Sequence, residues 1–381
     1  DWLSDLKLRA SYGVQGNVDK DTSPLVVGEW DNTQVLPDNS ESNIIVSSPP
    51  NQYLRWEKTT NWNGGLDVAV LGNRIAFTAD VYRRVSDDLI GMRSLPGENG
   101  FDYSTMNWAK LTNRGYELSL STVNVKTKDF RWVMDFNLAH NKSKINRLNV
   151  RDNSYEPSRE GYSVGAVFSL KTAGLDENGL QMFYNKQGEK VSFNDFFGLE
   201  YGYMMGGLIP FLKSNLSAEE YRNLFTYEGT TEPKFTGGWI NRFYYKNFDL
   251  TVSASFVLDQ TVQEQPFYNP VQTSPGQNYS RRMSQIWSPD NTSGKYPRIM
   301  GTYTEGEENW AYQWLGMLDP GNSYRKYDYW FKKMSYMRIN SIRLGYTFPE
   351  RLLGHIGFSS ARISFEARNP FVFGSSYKGY F

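Results

Sequence analysis

From Asn61 to Arg84 apolar and polar residues alternate with a period of two. Up to Leu71 the even positions are apolar or small (Trp62, Gly64, Leu66, Val68, Val70) and the odd ones mostly polar (Asn61, Asn63, Asp67). After Gly72-Asn73 the parity flips. Ile75, Phe77, Ala79 and Val81 form the apolar row, with Arg74, Thr78, Asp80 and Arg84 opposite. Alternation over about ten residues on each side of a tight break predicts a long antiparallel hairpin. Arms of that length, greasy on one face and polar on the other, suit a β-wall that crosses a membrane. Soluble sandwiches usually have shorter strands.

The pattern recurs along the chain. Residues 5–13 set Leu6, Leu8, Ala10 and Tyr12 against Lys7, Arg9 and Ser11. Residues 112–123 set Tyr116, Leu118 and Leu120 against Glu117, Ser119 and Ser121. Residues 130–146 follow, with Trp132, Met134, Phe136 and Leu138 opposing Arg131, Asp135 and Asn137. Strands at 235–246 and 248–258 meet at a tight turn, Lys246-Asn247. The strand at 331–348 slips phase near Asn340, which predicts a β-bulge. A last strand covers 360–369. The stretches 14–60, 87–110, 147–234 and 259–330 read as irregular. Within them Ser217 and Glu220 form a capping box that predicts a short helix near 218–225, and another is expected near 279–287.

Connection lengths alternate: long (14–60), tight (72–73), medium (87–110), short (124–129), very long (147–234), tight (246–247), very long (259–330), short (349–359). Every tight turn therefore falls at one end of the hairpins. That asymmetry predicts an all-β fold, an antiparallel transmembrane β-barrel segment with short periplasmic turns and long extracellular loops. Compact soluble domains rarely tolerate structureless loops of this length. Bacterial barrels close with an even strand count, so about nine strands read as part of a plugged barrel of roughly 22. A charge at the bilayer midplane costs ~2–4 kcal/mol. The rows holding Lys7, Arg9, Asp67, Asp80, Arg84, Glu117, Asp135, Arg362, Glu366 and Arg368 are thus expected to face a watery or plugged lumen. The alternative is a soluble all-β carbohydrate-binding protein or glycosidase with insertions on one side.

Composition narrows the chemistry. Among 381 residues, 41 Lys and Arg balance 41 Asp and Glu, so no net field calls for nucleic acid. There are no cysteines, and the two histidines, His140 and His355, are far apart, which argues against a histidine dyad or a zinc site. Asp176-x-Asn178-Gly179 reads as a turn, and Glu305, Glu307 and Glu308 as a solvated acidic loop. The Gly-Gly pairs at 64–65, 206–207 and 237–238 lack the Lys-Ser/Thr of a phosphate loop. No cofactor, metal site or catalytic group is nominated. Asp1-Trp2 reads as mid-chain sequence, with strands expected before it and after Phe381.

Aromatics are abundant, with 26 Tyr, 23 Phe and 11 Trp, although mean hydropathy is −0.59. No run approaches the ~20 apolar residues of a membrane helix. Trp287, Trp310, Tyr312, Trp314 and Tyr324 crowd the 259–330 stretch, and Trp30 and Trp108 lie in earlier loops. Such rings stack on sugars or hold peptides, anchor protein interfaces, or pack loops and line a membrane interface. These residues are the candidates for substrate binding or partner contact, and the three readings stay open.

Several stretches together carry a resemblance. They are DLKLRASYGVQGN (5–17), LRWEKTTNWNGGLDVAVLGNRIAFTADVYRRVSDDLI (54–90), NRGYELSLST (113–122), FRWVMDFNLAHNKSKINRL (130–148), GLDENG (174–179), DYWFKKMSYMRINSIRLGYTFP (328–349) and ARISFEARNPFVF (361–373). The chain resembles the C-terminal part of the SusC/RagA-like TonB-dependent transporters of Bacteroidetes outer membranes. The resemblance implies that residues 1–381 are the C-terminal part of a receptor β-barrel domain, with plug domain and earlier strands absent. It also implies a bacterial outer-membrane location, a SusD-like surface lipoprotein as a lid, and contact with TonB through the missing N-terminal part. The expected activity is import of oligosaccharides or peptides without enzymatic chemistry. A siderophore- or cobalamin-type receptor is the alternative within the same class.

Overall fold

The computed structural model describes residues 2–18, 20, 22–31, 43–101, 103–149, 153–204, 209–301, 306–353 and 358–374. Its main element is one sheet of nine strands. These are β1 (Leu3–Asn17), β2 (Glu57–Val70), β3 (Ile75–Ser94), β4 (Tyr103–Lys126), β5 (Phe130–Arg147), β6 (Phe235–Tyr245), β7 (Phe248–Gln263), β8 (Phe331–Thr347) and β9 (Arg362–Phe373). Spatial order follows chain order, and every neighbouring pair is antiparallel. Among the described residues β1 and β9 each pair on one side only, so this wall is an open sheet.

The predicted alternation lines up across the whole wall. One row runs Leu6, Val68, Phe77, Leu120, Phe136, Trp239, Ala254, Ile339, Phe371, each residue directly opposite the next. A one-residue slip in any pairing would turn that strand's apolar set over to the polar face. The apolar face is largely uncovered: Leu8 is 78% exposed and Phe365 72%.

The opposite face carries charges in contact with one another. Arg9 reaches Asp67 at 2.8 Å and Asp80 at 2.9 Å, and Thr78 donates its hydroxyl to Asp67. Asp135 accepts from Ser121 and pairs with Arg242, and Asp249 pairs with Arg362 at 2.7 Å. Gly65 makes room for the first cluster. A Cβ there would lie 2.5 Å from Asp80 Oδ1 and 2.6 Å from Arg9 Cζ. Arg74 departs from the expected polar row. It sits at the β2–β3 turn and donates instead to the carbonyls of Val123 and Asn124, tying one tight turn to the next.

The tight turn at 71–74 puts Leu71, Gly72 and Asn73 at φ of 56°, 63° and 62°. The turn at Lys246-Asn247 has Lys246 at φ 51°. The slip at Asn340 is a bulge: Ser253 faces Ser341 while Ala254 faces Ile339, leaving Asn340 between them. Asn340 accepts from the Ser255 hydroxyl at 3.0 Å.

Three expectations change. β1 runs on to Asn17 and β2 starts at Glu57, and within the intervening loop Val27–Asp31 pairs with Asn43–Ser48. The stretch 87–110 is not irregular: β3 and β4 stay paired up to Ser94 and Tyr103. Register shifts around Leu89, with Asp88 at φ 57°, break the period-2 signal there and hid the strands. The described residues of 148–234 and 264–330 are not structureless loops. They fold together into one lobe.

The lobe contains short ribbons and helices α1 (Phe193–Phe197), α2 (Ala218–Arg222) and α3 (Glu307–Gln313). Ser217 and Glu220 form the capping box that starts α2. The helix expected near 279–287 is a 3-10 turn, Arg281–Gln285. A single apolar core holds the lobe, including Phe183, Phe193, Phe197, Tyr221, Tyr327 and Trp330. Its two halves are stitched by the paired segment Leu170–Tyr327 and by Thr172 donating to Asp328 at 2.6 Å.

Candidate ligand and partner surface

The lobe places the aromatic candidates in three settings. Trp314 and Tyr324 are inside the core, 4% and 6% exposed. Trp314 lies 5.6 Å from Phe197, and Trp330 donates its indole N–H to the Tyr324 carbonyl at 3.0 Å. These rings spend their faces on one another, so their surroundings are those of packing.

Trp287 is also buried, but it borders open space. Gly179, at φ 78°, lies flat against its indole, where a Cβ would collide with the ring. Arg298 stands 5.5 Å from the ring. The indole lines a cleft of about 330 Å³ with Met283, Asn291, Arg298 and Ile299. That volume suits a small ligand, and an aromatic ring beside a guanidinium offers both stacking and hydrogen bonding.

Trp310 and Tyr312 sit at the margin of the core on α3. Trp310 meets Tyr201 edge-on at 4.8 Å. Tyr201 and Tyr203 point to the same side of the ribbon Leu199–Met204, 43% and 66% exposed. Met317, just beyond α3, is 73% exposed. Sequence reasoning passed over Tyr203 and Met317. The only signal was the short alternation in LEYGYM, too brief to stand out.

Trp30 and Trp108 lie away from the lobe core. Trp30 is 74% exposed on the ribbon formed by Val27–Asp31 and Asn43–Ser48, opposite Ile44. Trp108 is half-buried on β4, with Arg93 and Arg147 stacked on its ring at 4.6 and 4.7 Å.

The remaining motifs are structural. Asp176 accepts from the backbone of Asn178 and Leu180, closing the predicted turn with Gly179 at positive φ. Glu307 and Glu308 open α3, and Glu308 pairs with Arg298 at 3.3 Å; Glu305 lies outside the described residues. His140 is held between the rings of Tyr116 and Phe235, with Nδ1 2.5 Å from the Lys234 carbonyl. His355 lies outside the described residues. Burial pushes the phenols of Tyr268, Tyr324, Tyr327 and Tyr329 up, so these groups stay neutral in the lobe core.

A family model described as "TonB dependent receptor-like, beta-barrel" matches residues 1–203. The chain is 27% identical over 389 residues to TonB-dependent receptor P3 of Formosa agariphila, covering 97% of this chain and 35% of that protein. It is 27% identical over 390 residues to TonB-dependent receptor SusC of Bacteroides thetaiotaomicron, covering 99% of this chain and 35% of that one. The chain thus spans about a third of the length of these curated relatives. A solved structure of the RagAB peptide transporter shares the fold with a TM-score of 0.69 at 22% identity, over 100% of this chain and 38% of its counterpart.

Proposed function

This chain belongs to the TonB-dependent receptor-like β-barrel family, among receptors of the SusC and RagA kind, and from that premise we propose that it forms wall and cap of an outer-membrane nutrient importer. The nine strands are a C-terminal stretch of a larger barrel. The apolar row from Leu6 to Phe371 meets hydrocarbon, where each buried Å² is worth about 25 cal/mol. The polar face, with Arg9, Asp67, Asp80, Asp135 and Arg242, lines the interior. The tight turns point to the periplasm and the lobe to the outside.

The cargo is an oligosaccharide or peptide, drawn inward by work done through TonB on a plug. A SusD-like surface lipoprotein closes over the lobe. Its contacts are Trp310, with Tyr201, Tyr203 and Met317 nearby, and the exposed Trp30. The cleft beside Trp287 is the ligand contact. The observation that carries this reading is the continuous apolar row joined to connections sorted by length between the two ends.

The full-length protein tests it in a host outer membrane that has a working TonB system. The expected result is recovery only with detergent, and uptake of a labelled oligosaccharide or peptide that stops when TonB is inactivated. Recovery in the aqueous fraction, without detergent, ends the proposal.

A further inference from the structure

Across β3–β5 the apolar face of the wall gives way to charge toward the lobe end, while β2 and β1 carry it one row further with Trp62 and Tyr12. The row Val81, Tyr116, His140 is its aromatic margin, each residue opposite the next. The next row on the same face is Arg83, Arg114, Lys142. One step further come Val85, Thr112 and Lys144. Two residues of strand rise about 7 Å, so the cations of β3–β5 begin one step beyond Tyr116 and His140, level with Trp62 and Tyr12 on β2 and β1. All four cations are exposed, and among the described residues none of their side chains has an ion-pair or hydrogen-bond partner.

They line a cavity of about 980 Å³ between wall and lobe, to which Lys234 and Lys333 also contribute. Two carboxylates, Glu232 and Asp259, share it, and Glu232 is already engaged by the Ser143 hydroxyl at 2.7 Å. On the lobe side the cavity is walled by Tyr162 and Tyr227, stacked 4.7 Å apart. Arg83, Arg114, Lys142 and Lys144 neighbour one another without counter-charges between them and repel, and a multivalent anion relieves that repulsion. Guanidinium groups bind phosphate oxygens in a bidentate fork. The parity of Arg83, Arg114, Lys142 and Lys144 puts these four cations on the apolar, outward face of the wall, while Asn141 and Ser143 line the same cavity from the polar face.

We propose that this collar binds the phosphate-bearing headgroup of an outer-leaflet lipid. The phosphate sits among Arg83, Arg114, Lys142 and Lys144, and the acyl chains lie along Val81, Ala79 and Leu118 below. A soluble anion would use the cations but not the apolar row continuous with them. The inference rests on the barrel reading above.

The test uses the full-length transporter in phosphatidylcholine nanodiscs containing lipid A or its dephosphorylated form, with retained lipid counted by native mass spectrometry. Recovery of folded, heat-modifiable protein from the outer membrane is checked first, and its failure would count against the barrel reading itself. The wild type is expected to retain lipid A in preference to the dephosphorylated form. The variant R83Q/R114Q/K142Q/K144Q should lose that preference, by about fivefold for each charge removed. R83K/R114K keeps the charge and should keep most of the binding. K186Q/K190Q removes exposed charge on a distant ribbon and should bind as wild type. Equal retention of both lipids by the wild type, or unchanged retention by the quadruple variant while it assembles normally, overturns the collar and leaves the barrel reading standing.

Discussion

The wall and the lobe use the same residue types on opposite plans. The wall turns its apolar side chains outward, with Leu8, Trp62 and Phe365 all more than half exposed. It is held by backbone ladders and by ion pairs on its polar face. The lobe turns its aromatics inward, and Phe183, Phe197, Tyr327 and Trp330 are fully buried. Every residue of that core lies between Leu170 and Trp330, and none comes from a wall strand. The lobe is thus stabilised by excluding water, like a soluble domain. The wall needs another medium against its apolar face. One chain therefore holds two regions with separate responses to solvent, pH and mutation.

Alkaline pH should separate them most. Burial raises the phenols of Tyr221, Tyr268, Tyr324, Tyr327 and Tyr329 above their ordinary 10.0. The folded lobe then keeps protons that the unfolded lobe gives up. Its stability is whole below about pH 10 and falls as pH rises beyond it. In detergent, limited proteolysis should begin inside 148–330 while the heat-modifiable barrel band persists. Tyrosinate absorbance should jump with that cleavage; a smooth titration of all tyrosines near pH 10 without cleavage would contradict the buried cluster.

Trp330→Ala should have the next largest effect. It leaves a void at the centre of the lobe, also frees the Tyr324 carbonyl, and should cost about 3–5 kcal/mol. Denaturant titration followed by lobe proteolysis reads the loss, and wall assembly should be unaffected. A matching loss in the wall would mean that the two regions fold as one unit.

Gly65→Val makes the reciprocal test. It drives a side chain into Arg9 and Asp80 and should cost about 1–3 kcal/mol of wall stability. Gly13→Val on the same face, with nothing within 4 Å, should be nearly neutral. Equal effects at both sites would remove the close approach as the cause. Ser217→Ala should be smallest, about 1 kcal/mol through the lost cap on α2, seen as slightly faster proteolysis near that helix.

The two regions were unequally legible in the sequence. The wall could be read because each strand reports its face locally, through alternation of neighbours such as Leu66, Asp67 and Val68. Even the bulge at Asn340 shows as a phase slip. The signal fails where the backbone shifts register near Asp88, which is why 87–110 read as loop. In the lobe the decisive contacts are remote: Thr172 and Asp328 stand 156 positions apart. Only features closed within one turn, such as Ser217 with Glu220 and Asp176 with Gly179, showed through. The aromatic candidates were visible as residue types, but nothing local separated Trp314, which is buried, from Trp30, which is exposed.

The lobe's two halves flank the β6–β7 hairpin, and this has a consequence for biogenesis. The first half emerges from the ribosome before the partners that complete its core. Until residues 264–330 arrive, Phe183, Phe196 and Phe197 have only part of their cover. The intervening hairpin must be delivered before the two halves can dock. Completion of the lobe therefore reports only that this hairpin has been synthesised, and a chaperone that shields exposed aromatic clusters would have its longest contact with the chain during that interval.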